Sequence, residues 1–182
     1  MDTAPNYMVA TAFALNDLAD EIGRARRKFP GSEHTYATLL EELGELANAL
    51  LEHKYGHAPS RNIRAEALQV ACMAVRVGTE GDTSYGLAPS ADVSRATERL
   101  GSLVCGRLEQ LRLITPSNRY ALARLSRAVT KIGEYLMQEQ RTWQVSALES
   151  AAVHAVAWAL RVAIEGDAAF PYAAPAADNF TS

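Results

Sequence analysis

Apolar residues recur at spacings of three and four along almost the whole chain of 182 residues. This is the period of an amphipathic α-helix, and runs of β-branched residues are scarce. The pattern predicts an all-α fold with six helices. Their expected bounds are Tyr7–Lys28, Glu33–Lys54, Ser60–Gly78, Asp92–Leu113, Pro116–Gln140 and Ser146–Glu165.

Short polar signals mark where three of these helices begin. Ser32 is the predicted N-cap of the second helix. Thr115 followed by Pro116 is the order typical of an N-cap and a first helical residue, so it opens the fifth helix. Ser146 and Glu149 have the spacing of a capping box at the start of the sixth helix.

A seven-residue segment of this helical pattern occurs twice. RVGTEGD at 76–82 returns as RVAIEGD at 161–167, with five of the seven positions identical at an offset of 85. Farther up the chain, Pro30 pairs with Pro116 at an offset of 86. A repeat of this period predicts two related three-helix units that pack as a pseudo-twofold pair. The alternative is chance similarity between Ala- and Leu-rich helices.

The repeat divides the chain into four expected segments. The first unit covers 1–82, a linker covers 83–91, the second unit covers 92–167 and a tail covers 168–182. Gly, Ser and Pro crowd the stretch GTEGDTSYGLAPSA at 78–91, as they do in linkers. The Ala- and Pro-rich tail predicts an extended or disordered segment. A pseudo-dimeric monomer and a homodimer both remain open.

Composition limits the classes of partner. A net charge of −3 and a pI of about 5.8 are a poor match to a nucleic-acid-binding domain, which carries a basic face. Cys72 and Cys105 lie in apolar runs without CxxC spacing, as small core residues of a reducing compartment do. The N-terminal run MVATAFAL has no preceding basic region and is too short to span a membrane. We therefore expect a soluble cytoplasmic protein that binds neither nucleic acid nor a membrane.

The second helix carries a group of carboxylates in the stretch TLLEELGELANALLEHKYGH. Glu41, Glu42 and Glu45 fall within five residues, on the side of the helix that faces away from its leucines. On this helix alone, the pattern is that of a solvated face. The other interpretation is that these residues form half of a metal site.

The third helix favours the metal site. Glu66 emerges from an apolar face, and the next charged residue is Arg76. A lone buried carboxylate tends to take up a proton unless a cation lies beside it. If the second helix packs its glutamates towards Glu66, four carboxylates surround one volume. Ligands that are all oxygen suit Mg²⁺ or Mn²⁺, and Gln69, one turn on, adds an amide oxygen.

These motifs resemble those of a known family. EELGE, followed about twenty residues on by E-x-x-Q, is similar to the E-E-x-x-E … E-x-x-D signature of the all-α nucleoside triphosphate pyrophosphohydrolases. These are the MazG-like proteins, related to dimeric dUTPases and phosphoribosyl-ATP pyrophosphohydrolase. The resemblance covers residues 8–82 and implies a MazG-like helical bundle. It also implies a Mg²⁺-dependent enzyme that converts a nucleoside triphosphate to a monophosphate and pyrophosphate.

The resemblance also implies roles for individual residues. Glu42, Glu45 and Glu66 would be metal ligands, and Glu41 would be a ligand or would position and activate the water. The family's last aspartate is Gln69 here, which can still ligate Mg²⁺ through its carbonyl oxygen but brings no charge.

The second unit departs from the signature completely, because the positions paired with the glutamates carry other residues. Glu41, Glu42 and Glu45 pair with Arg127, Ala128 and Lys131, and Glu66 pairs with Ala151. That unit cannot build the acidic site.

Several residues are weaker candidates for substrate binding. Asn16 and Asp17 could contact the base, and Lys54 could contact a phosphate. Arg127 and Lys131 would contact phosphates if they face the acidic half; the alternative is a solvated helix face. The basic cluster at 24–28 either borders a phosphate pocket or complements the helix dipole.

The predicted function is nucleotide pyrophosphohydrolysis in a nucleotide-pool or house-cleaning role. Two alternatives stay open: a nucleotide-binding protein that has lost turnover, and a helical scaffold with a solvated acidic face.

Overall fold

The structure is a computed structural model that describes residues 4–57, 59–114, 120–138 and 144–167. These residues form six α-helices, one 3-10 turn and no strand, which confirms the all-α prediction. The helices are α1 (Ala4–Lys28), α2 (Thr35–Lys54), α3 (Ser60–Glu80), α4 (Val93–Ile114), α5 (Ala121–Leu136) and α6 (Gln144–Glu165). The 3-10 turn covers Thr83–Tyr85.

The central pair of helices is α3 and α6, which make the most extensive interhelical contact. Residues 70–77 of α3 and 155–164 of α6 are buried throughout. A Cβ atom added to Gly78 would lie only 2.7 Å from the Cβ of Ala152, which is closer than two such atoms can approach. Glycine at position 78 therefore allows the backbones of α3 and α6 to pack closely. Helices α1 and α2 pack on α3, and α4 and α5 pack on α6. The other four helices thus pack around this central pair.

Each central helix ends in a buried ion pair. Arg76 is 2% exposed, and its guanidinium lies 2.8 Å from Oε2 of Glu80. Arg161 is 1% exposed and lies 2.7 Å from Oε2 of Glu165. A buried charge without a partner is strongly destabilising, so each arginine needs its glutamate.

The pair on α3 also holds the other two helices of its unit. Nη2 of Arg76 donates to the backbone carbonyls of Phe29 and Gly31, which connect α1 to α2, at 2.7 and 2.8 Å. Nε of Arg26 on α1 donates to Oε1 of Glu80 at 2.7 Å. These contacts at the C-terminal end of α3 therefore position the C-terminal end of α1.

A buried aspartate beyond α3 caps α2. Oδ2 of Asp82 accepts from the backbone N–H of Tyr36 at 2.8 Å, and Oδ1 accepts from that of Ser84 at 2.9 Å. The hydroxyl of Thr35 donates to the carbonyl of Gly81 at 2.7 Å. Gly81 has a φ of 70°, a conformation that favours glycine.

The predicted N-cap of α2, Ser32, is therefore wrong. The N-cap is His34, whose φ of 61° is left-handed and whose side chain makes no capping hydrogen bond. The backbone N–H of Tyr36, in the first turn of α2, is satisfied by Asp82, which is 46 residues away along the chain. A cap supplied from so far away has no local sequence signal.

The second unit closes with corresponding contacts. Oδ2 of Asp167 accepts from the backbone N–H of Leu122 at 2.7 Å, and Oδ1 accepts from that of Tyr120 at 3.3 Å. Tyr120 is the N-cap of α5 and has a left-handed φ of 70°. Both copies of the seven-residue segment thus end in an aspartate that caps the start of the middle helix of its unit. An origin of the two units by duplication stays a prediction.

Four further predictions at segment ends can be compared with the structure. Helix α6 begins at Gln144, so Ser146 lies inside the first turn and is not its N-cap. Helix α3 continues to Glu80 and residues 81–82 are buried, so only 83–91 has the exposure of a linker. The N-cap of α5 is Tyr120 and the helix ends at Leu136, so the predicted start at Thr115 and Pro116 and the predicted end at Gln140 are wrong. The tail at 168–182 lies outside the described residues.

Helix α6 is long and apolar enough to cross a membrane, judged by length and composition. Of its window at 146–165, 72% is buried against the rest of the protein. The central helix of a globular core has the same properties. The cytoplasmic location therefore stays a prediction.

Replacing Asp82 by alanine should destabilise the protein by about 2 kcal/mol or more, because buried backbone donors lose their acceptor. The control is Asp92→Ala, which removes an exposed cap whose carboxylate accepts from the N–H of Arg95 at 3.0 Å. That change should lower the free energy of unfolding by about 1 kcal/mol or less. Urea denaturation measures both, and equal losses would contradict the role given to Asp82.

Candidate metal centre

Three carboxylates from α2 and α3 converge on one volume. Glu42 and Glu45 lie one turn apart on α2, and Glu66 lies on the neighbouring helix α3. One oxygen from each of the three lies within 4.8 Å of the others. The structure thus brings together the three residues that the resemblance names as metal ligands.

The burial of these residues makes the cluster more than a solvated face. Glu45 is exposed, but Glu42 and Glu66 are only partly so. Oε2 of Glu42 and Oε2 of Glu66 are both buried and have no hydrogen-bond donor beside them. A buried carboxylate oxygen without a donor is destabilising, and a cation would satisfy both.

Electrostatic repulsion in the cluster appears as raised pKa values. Burial, followed by the charges of Glu45 and Glu66, raises the pKa of Glu42 to about 7. Burial, followed by the charge of Glu45, raises the pKa of Glu66. The centre therefore takes up either protons or a cation.

The donor set fits a hard divalent cation. All three groups supply oxygen, and no cysteine or histidine belongs to the cluster. Oxygen ligands of this kind are those of Mg²⁺ and Mn²⁺.

A cleft of about 620 Å³ opens beside the centre, between α1, α2 and α3. Glu42 belongs to both the cluster and the cleft. Glu41 and Gln69 line the cleft but are not part of the group of three. The neighbouring residues Glu41 and Glu42 point in directions about 100° apart on the helix, which separates their positions.

The walls of the cleft also carry charges from α1. Arg24 and Lys28 line it, so part of the basic cluster at 24–28 does border a pocket. Glu21 lines it as well and contributes to the raised pKa of Glu42. Glu21 lies one turn before Arg24 and was not singled out in the sequence. Its spacing from the basic cluster is the only signal that could have indicated it.

The weaker candidates on α1 and α2 do not line this cleft. Asn16 is exposed, and Asp17 forms an ion pair with Arg64 at 2.6 Å. Lys54 is the exposed last residue of α2. Arg127 and Lys131 line a different cleft, between α4, α5 and α6.

Comparisons of the chain with models of protein families, with curated proteins and with solved structures found no match.

Glu42→Gln should stabilise the metal-free protein at alkaline pH. Because the pKa of Glu42 is higher in the folded than in the unfolded state, the folded state binds more protons between about pH 4.5 and 7. Stability therefore falls as pH rises through this window. The variant should show a smaller fall, because the raised pKa of Glu66 still contributes, and should gain about 1 kcal/mol near pH 8, a value reduced for partial exposure.

Urea unfolding in EDTA at about pH 5 and pH 8 measures the effect. Glu52→Gln, an exposed position on the same helix outside the cluster, is the control and should leave the pH dependence unchanged. A pH dependence as steep in Glu42→Gln as in the wild type would show that Glu42 does not cause it.

Proposed function

We propose that Glu42, Glu45 and Glu66 bind Mg²⁺ or Mn²⁺ and that the protein is a metal-dependent nucleoside triphosphate pyrophosphohydrolase. The observation that carries the proposal is the convergence of these carboxylates, two of them with buried and unpartnered oxygens, beside a cleft. A cleft of about 620 Å³ is within the range of small-molecule sites. The resemblance to the MazG-like signature supplies the reaction, and a role in the nucleotide pool follows from it.

The residues of the cleft have distinct tasks in this proposal. Glu42, Glu45 and Glu66 would hold the cation, which would supply positive charge to the phosphates and to the attacking water. Glu41 accepts a proton from the attacking water, whose oxygen bonds to the α-phosphorus. The bond from that phosphorus to the oxygen that bridges to the β-phosphate breaks, and pyrophosphate leaves. Arg24 and Lys28 bind phosphate oxygens from the wall formed by α1.

One observation favours a second candidate, nucleotide binding without turnover. Gln69 lines the cleft at the position where the family signature has an aspartate. Its amide oxygen is a neutral ligand, so the centre has one negative charge fewer than the signature provides. Weaker cation binding would slow the reaction more than it would weaken nucleotide binding.

The wild-type protein should release pyrophosphate from at least one nucleoside triphosphate in the presence of Mg²⁺ or Mn²⁺. A panel of ribo- and deoxynucleoside triphosphates is tested for release, with EDTA as the metal-free reference. Glu42→Gln/Glu45→Gln should lose the activity, and Glu52→Gln should keep it. Glu41→Gln should bind Mn²⁺ normally and turn over at least about a hundredfold more slowly, the usual loss when a general base is removed.

The outcomes separate the candidates. If no pyrophosphate is released but nucleotide raises the melting temperature, the protein binds nucleotide without hydrolysing it. A melting temperature that responds to neither metal nor nucleotide would leave a helical scaffold with an acidic face.

Gln69→Asp should strengthen Mn²⁺ binding by about tenfold, since it adds a negative charge near the cation. Electron paramagnetic resonance of free Mn²⁺ measures the dissociation constant directly. The control is Asn16→Asp, which adds the same charge to an exposed position of α1 outside the cluster and the cleft. An equal gain in both variants would mean that Gln69 has no special relation to the cation.

A further inference from the structure

The second three-helix unit contains a cleft of its own. It has a volume of about 490 Å³ and lies between α4, α5 and α6. Its lining includes five basic residues: Arg107, Arg124, Arg127, Lys131 and His154. Among the residues that the structure describes, no aspartate or glutamate lines it.

This cleft occupies the position in the second unit that the acidic cleft and centre occupy in the first. At an offset of 86, Glu21 pairs with Arg107 and Glu41 pairs with Arg127. At the same offset Glu45 pairs with Lys131. All three of these acidic positions are therefore basic in the second unit. A helix face needs only polar residues to be solvated, so solvation does not explain this reversal of sign.

One arginine that lines this cleft, Arg107, has no acidic partner among the residues that the structure describes. Nε of Arg107 is buried and has no hydrogen-bond acceptor, and Nη1 donates to the neutral amide of Gln110 at 3.1 Å. By contrast, the buried guanidinium groups of Arg76 and Arg161 are each matched by a glutamate. A buried, unpartnered N–H of a guanidinium is destabilising, and an anionic ligand in the cleft would satisfy it.

A cation–π contact restrains Arg124 at the cleft. The guanidinium of Arg124 lies 5.2 Å from the ring centre of Trp158. Burial and the charge of Arg107 lower the pKa of His154, so the positive charge of the cleft comes from its arginines and Lys131. Lys131 pairs with Glu134, but both are largely exposed, and such a pair is weak.

We propose that this basic cleft binds a small organic anion that carries two or more phosphate groups, of the size of a nucleotide. Several cations without an acid among them need more than one negative charge, and guanidinium groups bind phosphate oxygens in pairs. The cleft volume suits a small molecule. The net charge of −3 argues against a long nucleic acid, because the remaining surface would repel it.

The test measures binding in EDTA, where the acidic centre holds no cation. Isothermal titration calorimetry with ATP, pyrophosphate and inorganic phosphate at about 150 mM KCl compares the possible ligands. ATP and pyrophosphate should bind, and phosphate should bind at least tenfold more weakly. Arg124→Glu/Arg127→Glu should lower the affinity for ATP by at least a hundredfold; both side chains are exposed, so the fold should survive.

Two variants locate the site. Arg95→Glu reverses an exposed charge of α4 outside the cleft and should leave ATP binding unchanged. Glu42→Gln/Glu45→Gln should also bind ATP normally in EDTA, whether or not the acidic centre supports hydrolysis. Loss of binding in either variant would overturn the proposal.

Three other results would also overturn it: no binding of ATP or pyrophosphate, unchanged binding in Arg124→Glu/Arg127→Glu, or tighter binding of a single-stranded oligonucleotide than of ATP. The last result would make the cleft part of a nucleic-acid interface. Because hydrolysis is measured separately in Mg²⁺, failure of the acidic centre and failure of the basic cleft give different outcomes.

Discussion

The buried ion pair between Arg76 and Glu80 is the interaction on which the first unit depends. It lies at the end of a central helix, where an unpaired charge would be strongly destabilising. The same two side chains bind the connection between α1 and α2 and the guanidinium of Arg26. Asp82 then fixes the start of α2 against the end of α3. These contacts hold α1, α2 and α3 in one arrangement without any contribution from the carboxylates of the centre. That arrangement brings Glu42 near Glu66.

The acidic centre is destabilising by itself. Like charges with buried oxygens repel each other, and burial raises the pKa of Glu42 to about 7. The close contact between α3 and α6 offsets this repulsion, because the apolar surface that it buries does not depend on the glutamates. A protein that maintained this cluster only for solubility would place the same charges apart on an exposed face, where they would not repel.

Sequence patterns predicted the helices well and their ends less well. Helical period identifies six helices because each buries a continuous stripe. The start of α2 was wrong because its cap is Asp82, far along the chain, and not Ser32. Gly81 and Asp82 have the composition of a linker, yet they are buried, since their role depends on tertiary contacts that no local pattern contains. The resemblance to the MazG-like signature implied that Glu42, Glu45 and Glu66 share a site, whereas their spacing alone left the packing of α2 against α3 open. Glu41, which the helix pattern grouped with them, lies apart in the cleft.

The two units share the residues that stabilise their helix ends and differ in residues that line their clefts. The residues that close each unit are the same: an arginine, a glutamate, a left-handed glycine and a capping aspartate. Three acidic positions of the first cleft and centre, Glu21, Glu41 and Glu45, are basic in the second unit. Glu41 and Arg127 show this reversal on matching turns of α2 and α5. A change that served packing alone would conserve volume and polarity without reversing charge. The reversal at these three positions is therefore better explained by two ligands of opposite sign than by the stability of the bundle.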